Sequence, residues 1–140
     1  EEQMKRILVD TSVWSLALRK KDKNDQELRV INQLSKIINN LDMVIIGPIR
    51  QEILSGINDK KKYEELREKI SIFEDFQLHT YDYELAAELF NECRKHGIQG
   101  SHIDYLICAV AINNDMSILT LDNDFQLYKK HMKLKIEKIA

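Results

Sequence analysis

The chain reads as an α/β sandwich built on a mainly parallel sheet, and three observations lead there. Short apolar runs, Ile7-Leu8-Val9, Met43-Val44-Ile45-Ile46 and Ile118-Leu119-Thr120-Leu121, alternate with longer stretches whose apolar residues recur every three or four positions. Strand and helix patterns in alternation are what parallel strands joined by crossover helices produce. The runs are also rich in β-branched residues and nearly continuous, as strands covered on both faces are. Finally, only one Pro and four Gly interrupt 140 residues of which 44% are apolar, a globular and helix-rich composition. That length is enough for one continuous core. Residues 1–140 are therefore expected to form a single domain, with Glu1 to Gln3, ahead of Met4, read as a non-native remnant.

Taken in order, Ile7 to Val9 is the first strand, followed by a short helix or turn from Val13 to Arg19 carrying Trp14, Leu16 and Leu18. Leu28, Ile31, Leu34 and Ile38 mark one stripe of the next helix. Met43 to Ile46 is a second buried strand, bounded by Gly47-Pro48. Pro48 suits the first turn of the following helix, where its missing N–H costs nothing; that helix carries Ile49, Ile53, Leu54 and Ile57. A charged helix runs through Tyr63, Leu66, Ile70 and Phe73, with Lys60-Lys61-Lys62 as solvated surface. Gln77-Leu78-His79 reads as a short strand. The helix around Leu85, Leu89, Phe90 and Cys93 stops at Gly97. Ser101 to Asn113 is the most apolar helix, expected at the centre. Ile118 to Leu121 is the next strand, Phe125 to Lys130 a short helix, and Leu134 to Ile136 a last strand.

Several function classes are disfavoured. No apolar stretch approaches the ~20 residues that span a bilayer, and no apolar segment of a secretory signal stands near the start, which reads as a cytoplasmic chain. Cys93 and Cys108 lie in apolar helical patterns without metal or disulfide spacing and read as small buried hydrophobes. A formal net charge of −2 excludes a uniformly basic nucleic-acid-coating surface.

Four carboxylates then stand out by position. Asp10 ends the first strand and Asp122 follows a late one, while Glu52 and Asp104 fall near helix starts. In an open parallel sheet these places converge on the rim at the carboxyl ends of the strands. Four acids gathered there repel one another unless a cation neutralises them, and hard divalent cations prefer such oxygens. Each acid also has a plainer role. Asp104 fits a capping box with Ser101, Glu52 complements a helix dipole, Asp10 can cap the next helix, and Asp122 can form an Asx-turn. None of these roles requires that the acids share a rim.

At this point the chain resembles the PIN-domain ribonucleases, and within them the small stand-alone VapC-like toxins. The resemblance spans nearly the whole chain. It is carried by Ile7-Leu8-Val9-Asp10-Thr11-Ser12, by Pro48-x-x-x-Glu52-x-x-x-Gly56, by Gly100-x-x-x-Asp104-x-x-Ile107-Cys108-Ala109-x-Ala111, and by Thr120-x-Asp122-x-Asp124-Phe125. Each piece is weak alone; four in order are specific. The resemblance implies a PIN-like three-layer α/β/α sandwich with four to five strands. It implies that Asp10, Glu52, Asp104 and Asp122 are a catalytic quartet holding Mg²⁺ or Mn²⁺, supported by Ser12 and Thr120, with Asp124 as a second acid beside Asp122. It further implies an RNA substrate, hydrolysis leaving a 5′-phosphate, a cognate antitoxin protein and a homodimer. Cys108 departs mildly from the small Ala common at its position.

For RNA contacts, Arg19, Lys20, Lys21, Arg50 and Lys129 or Lys130 are candidates, with His102 beside Asp104; Trp14 and Tyr105 are stacking candidates for which core packing is the plainer role. The early helices with Trp14, Leu16 and Leu18 are the expected dimer face. A PIN nuclease of RNA processing and a noncatalytic scaffold remain alternatives. Receiver domains want adjacent acids and a late Lys, and haloacid-dehalogenase-type domains want Asp where this chain has Ser12.

Overall fold

The computed structural model describes residues 5–140, so the reading of Glu1 to Gln3 as a remnant lies outside the described residues. Three parallel strands form the sheet: β1 (Ile7–Val9), β2 (Met43–Val44) and β3 (Ser117–Leu119), in the order β2-β1-β3. Ile7 pairs with Met43 and with Ser117, so the first strand is central, and Ile7, Leu8 and Val9 are fully covered. That explains their unbroken apolar character.

Among the described residues, seven helices pack around this sheet: α1 (Thr11–Arg19), α2 (Asp25–Asn39), α3 (Gly47–Leu54), α4 (Lys60–Ile70), α5 (Thr80–Lys95), α6 (His102–Asn113) and α7 (Asp124–Tyr128), the last running into a 3₁₀ turn at Lys129–His131. Every residue from Tyr105 to Ala111 is buried, which places α6 inside the molecule as its composition predicts. Asn24 and Glu27 form a capping box that starts α2. Pro48 sits in the first turn of α3. Cys93 and Cys108 are free and buried.

The sheet is narrower than four to five strands. Gln77-Leu78-His79 forms no strand; pairing on that edge is a single parallel bridge from Ile45 to Asp75. Leu134 to Ile136 likewise contributes one bridge, Ile118 to Ile136. Both edge segments touch the sheet for one residue and then leave it, so neither builds a ladder.

Three helices end by the same device. The residue after the cap adopts positive φ at Leu41 (62°), Gly97 (74°) and Asp115 (54°). Bonds from Asp42 N to Ile37 O, Ile98 N to Cys93 O and Met116 N to Ala111 O then close each end. Two of these turns deliver the chain directly into β2 and β3.

The expected dimer face is corrected here. Trp14 and Leu16 are 2% and 7% exposed, because α1 packs against α2 and α3 with Trp14 against Phe73; Leu18 is half-buried. Tyr105 is also fully buried, so both stacking candidates belong to the core.

Candidate active site

Asp10 leaves the central strand at its carboxyl end, where its N–H donates to Leu119 O at 2.9 Å. It stands at the N-cap of α1 but its side chain makes no capping bond. Instead its Oδ2 accepts from Ser12 Oγ at 2.7 Å and from Thr120 Oγ1 at 2.8 Å. Those hydroxyls are themselves held from the far side: Ser12 Oγ accepts from the Leu121 N–H, and Thr120 Oγ1 from the Asp122 N–H, each at 3.0 Å. Two hydroxyls thus tie the end of β1 to the chain leaving β3. Asp10 and Thr120 are 5% and 7% exposed, so these charge-assisted bonds offset the desolvation of the carboxylate.

Asp104 approaches from the first turn of α6. Ser101 Oγ accepts from the Asp104 N–H at 3.0 Å, the helix cap that the sequence suggests. The carboxylate is engaged elsewhere, its Oδ2 accepting from Tyr128 O–H at 2.7 Å. Burial holds this carboxyl above the ordinary aspartate range; the charges of Asp10 and Asp122 add to the rise, and the hydrogen bond from the Tyr128 phenol opposes it. Asp10 and the Asp122 backbone are neighbours through Thr120, whose Oγ1 donates to the one carboxylate and accepts from the N–H of the other residue. Burial, and then its bond to Asp104, push the Tyr128 phenol well up, so it remains an O–H donor.

Asp122 follows β3 and does form the Asx-turn, its Oδ1 accepting from the Asp124 N–H at 2.9 Å. Asp124 is exposed at the start of α7. Glu52 lies in the second turn of α3, past the reach of the helix start, and its Oε1 accepts from Thr11 Oγ1 at 2.6 Å. Thr11 directly follows Asp10, so Glu52 joins the same rim through the chain of α1.

One pattern runs through all four. Each carboxylate has one oxygen bonded by a protein donor, while Asp10 Oδ1, Asp104 Oδ1, Asp122 Oδ2 and Glu52 Oε2 have no hydrogen-bond donor among the described residues. No Lys, Arg or His among the described residues forms an ion pair with any of them. Asp82 is the contrast: fully buried, it accepts from His79 N–H on one oxygen and Asn113 Nδ2 on the other. Asp82 is a finished structural acid, whereas the rim acids keep acceptor capacity on the open side.

Oriented hard oxygens with unbalanced charge fit a divalent cation. Among the described residues no group of three or more His, Cys, Asp or Glu side chains closes around a common point as a ready cage. A hydrated divalent ion that keeps several waters takes few direct carboxylates and does not require such a cage.

The expected cationic contacts divide. Arg50 is a structural clamp whose guanidinium donates to Asp75, to Ile70 O and to Phe73 O. Lys20 pairs with Glu27 at 2.6 Å. Arg19, Lys21 and Lys130 are exposed, and Lys129 borders a cleft that Asp122 also lines. His102 stacks flat on Phe90, ring centroids 4.9 Å apart, two residues from Asp104 and hence on another side of α6.

Sequence reasoning missed two orienting residues. Thr11 stands inside the quoted Asp10-Thr11-Ser12 motif but its tie to Glu52 depends on how α1 meets α3. Tyr128 carries no motif at all.

The family model for the PIN domain matches residues 7–130. No curated protein sequence matches the chain. Among solved structures, the fold is similar to a chain in the crystal structure of FitAcB from Neisseria gonorrhoeae. The TM-score is 0.75 at 20% identity, over 94% of this chain and 96% of that one. VapBC2 from Rickettsia felis bound to a DNA fragment from its promoter gives 0.73 at 21% identity, over 94% and 96%. DNA-bound VapBC from Salmonella typhimurium gives 0.71 at 16% identity, over 98% and 100%.

Proposed function

The chain belongs to the PIN domain family, and from that premise we propose that it is a metal-dependent endoribonuclease, the toxin component of a toxin–antitoxin pair. The observation that carries this reading is the set of four rim carboxylates, each with one tethered and one open oxygen and without a cationic partner.

In this reading Asp10, Asp104 and Asp122 hold the ion, and Glu52 acts directly or through water. Bound Mg²⁺ or Mn²⁺ supplies the charge that acidifies a water and balances the phosphoryl and departing 3′ oxygens. The protein's own part is orientation. Ser12 and Thr120 fix the Asp10 carboxylate from behind, and Tyr128 does the same for Asp104. The Asp124 backbone N–H holds Asp122, and Thr11 holds Glu52. Side chains fixed in this way lose little freedom when an ion and a phosphodiester arrive. Water rather than the 2′-hydroxyl attacks phosphorus and the bond to the 3′ oxygen breaks, so the products carry 5′-phosphates and 3′-hydroxyls.

A cognate antitoxin, a homodimer and a cytoplasmic site of action belong to the same proposal. The relatives of similar fold include FitAcB and VapBC structures, which supports the partner. Trp14 and Leu16 lie in the core, which leaves only half-buried Leu18 of that face for a dimer contact. An apolar cleft of about 590 Å³ between α3, α5 and α6, lined by Ala86, Phe90, Ile103 and Leu106, is the candidate. No helix among the described residues is long and apolar enough to cross a membrane.

The test is a mixed RNA pool incubated with the protein in EDTA, Mg²⁺ or Mn²⁺, alongside Asp10→Asn and Asp104→Asn. Cuts with 5′-phosphates that need metal and fall at least on the order of a hundredfold in both variants are expected. Activity that survives in EDTA or in the variants would sink the mechanism; absence of cleavage would favour the noncatalytic scaffold. Growth arrest on expression, relieved by a partner protein, separates a toxin from an RNA-processing nuclease.

A further inference from the structure

A second feature adjoins the acids. A cleft of about 450 Å³ opens between the start of α2, α7 and the C-terminal tail, and Thr120 and Asp122 form part of its wall. It is therefore continuous with the candidate active site. Its remaining wall is chemically different, bearing Lys129, Lys138, Gln26 and Gln126.

The tail that presents Lys138 is held in place. Ile136 bridges to Ile118, and the Glu137 N–H donates to Ile118 O at 2.8 Å. Gln33 on α2 donates to the Lys138 carbonyl at 2.8 Å and accepts from the Ala140 N–H at 3.0 Å. Lys138 is thus an exposed cation on a fixed backbone. Neither Lys129 nor Lys138 forms an ion pair among the described residues. Glu137, also in the wall, has its charge balanced by Lys5 at 3.2 Å. The cleft therefore offers two uncompensated cations and three side-chain amides, Gln26, Asn123 and Gln126, beside an acidic site that by itself repels phosphate.

Lysine ammonium groups bind phosphate as point charges, and Gln amides offer both donors and acceptors to an unpaired base edge. The volume lies in the range of small-ligand pockets and is sufficient for a single nucleotide. We propose that this cleft holds the nucleotide flanking the scissile phosphate, with Lys129 and Lys138 on the RNA backbone and Gln26 and Gln126 at the base edge. The proposal rests on the ribonuclease reading and adds to it where the strand lies and what sets site preference.

The direct test is the salt dependence of binding. A fluorescein-labelled single-stranded RNA of mixed sequence is titrated with Asp104→Asn protein in Mg²⁺, by anisotropy, from low to moderate salt. Each lysine–phosphate contact on a single strand contributes about 0.7 to the slope of log affinity against log salt. Adding Lys129→Ala and Lys138→Ala should lower that slope by about 1.4. Lys60→Ala with Lys61→Ala on α4, outside the cleft, removes equal charge and should leave the slope unchanged. Equal slopes for the two double variants would overturn the proposal. In the active protein the cleft variant should raise KM by on the order of tenfold, more than it lowers kcat. Gln26→Ala should broaden the sequences found at cleavage sites, and an unchanged site preference would remove the base-edge role. The slope is read without cleavage, so failure of the nuclease reading and failure of this one are distinguishable.

Discussion

Burial and the charges of Asp10 and Asp122 hold the Asp104 carboxyl above the ordinary range, so ionising it in the folded, metal-free protein costs free energy at neutral pH. The folded-state pKa is the higher one, hence the cost is absent below about pH 4, where the unfolded chain also protonates its aspartates. It grows as pH rises and is complete above the folded-state pKa. Asp104→Asn keeps an acceptor for Tyr128 and removes the charge. We expect it to raise the Tm in EDTA at pH 7, with the advantage fading towards pH 4, while cleavage is lost. Thermal unfolding at both pH values checks this; a lower Tm at pH 7 would contradict it. Tyr128→Phe removes the donor on Asp104. A drop of 10- to 100-fold in kcat/KM is expected, typical of a residue that orients a ligand, with at most about 1.5 kcal/mol of stability lost. At this scale the sequence placed Asp10 and Asp122 after strands and Asp104 at a helix start, as the structure has them, whereas Glu52 lies a turn further into α3 than expected. Of their orienting partners, Ser12 and Thr120 were named with the motif and do bond Asp10; Thr11 and Tyr128 were not, since Tyr128 meets Asp104 only after α7 folds back on α6.

Gly100 precedes α6 where an added Cβ would stand 2.7 Å from the Tyr105 ring. That ring cannot yield, being fully buried against Phe90 and Tyr128. Gly100→Ala should therefore destabilise by about 1–3 kcal/mol, and activity should fall with it because Ser101 and Asp104 begin the displaced helix. Denaturant unfolding and a cleavage assay read the two effects. Leu41 presents the opposite case, 86% exposed and held at φ 62° after α2. Leu41→Gly removes left-handed strain and is expected to stabilise by up to about 1 kcal/mol, seen as a higher denaturation midpoint. Helix spacing located the longer helices, because α2, α4 and α5 each bury one stripe and α6 nearly its whole surface, whereas α1 read as a short helix or turn and α3 was announced by Pro48. The turns were only partly legible: Gly97 announces its positive φ, but Leu41 and Asp115 adopt theirs because the chain must enter the sheet. Edge pairing failed as a sequence signal for the same reason, since Asp75 and Ile136 touch the sheet through one residue each.

Across the molecule, Asp10, Glu52, Asp104 and Asp122 have no cationic partner among the described residues, so a cation that they bind stabilises the fold. Mg²⁺ or Mn²⁺ at about 100 times its dissociation constant adds about 2.7 kcal/mol. The Tm of the natural sequence should rise accordingly, and that of Asp10→Asn should rise little; an equal rise in both would place the ion elsewhere. Light scattering at micromolar concentration tests the proposed dimer, for which a monomeric mass is the contrary result. The sequence by itself determined the parallel α/β class, the order of elements and which acids lie at strand and helix ends, because these follow from hydrophobic period and local turn chemistry. Only the tertiary structure decided which oxygens stay open, that Arg50 clamps a loop, that Trp14 is core, and that Lys129 and Lys138 stand beside Asp122. Those outcomes depend on contacts between residues as far apart as Asp10 and Thr120, and no local pattern encodes which side chains long-range packing brings together.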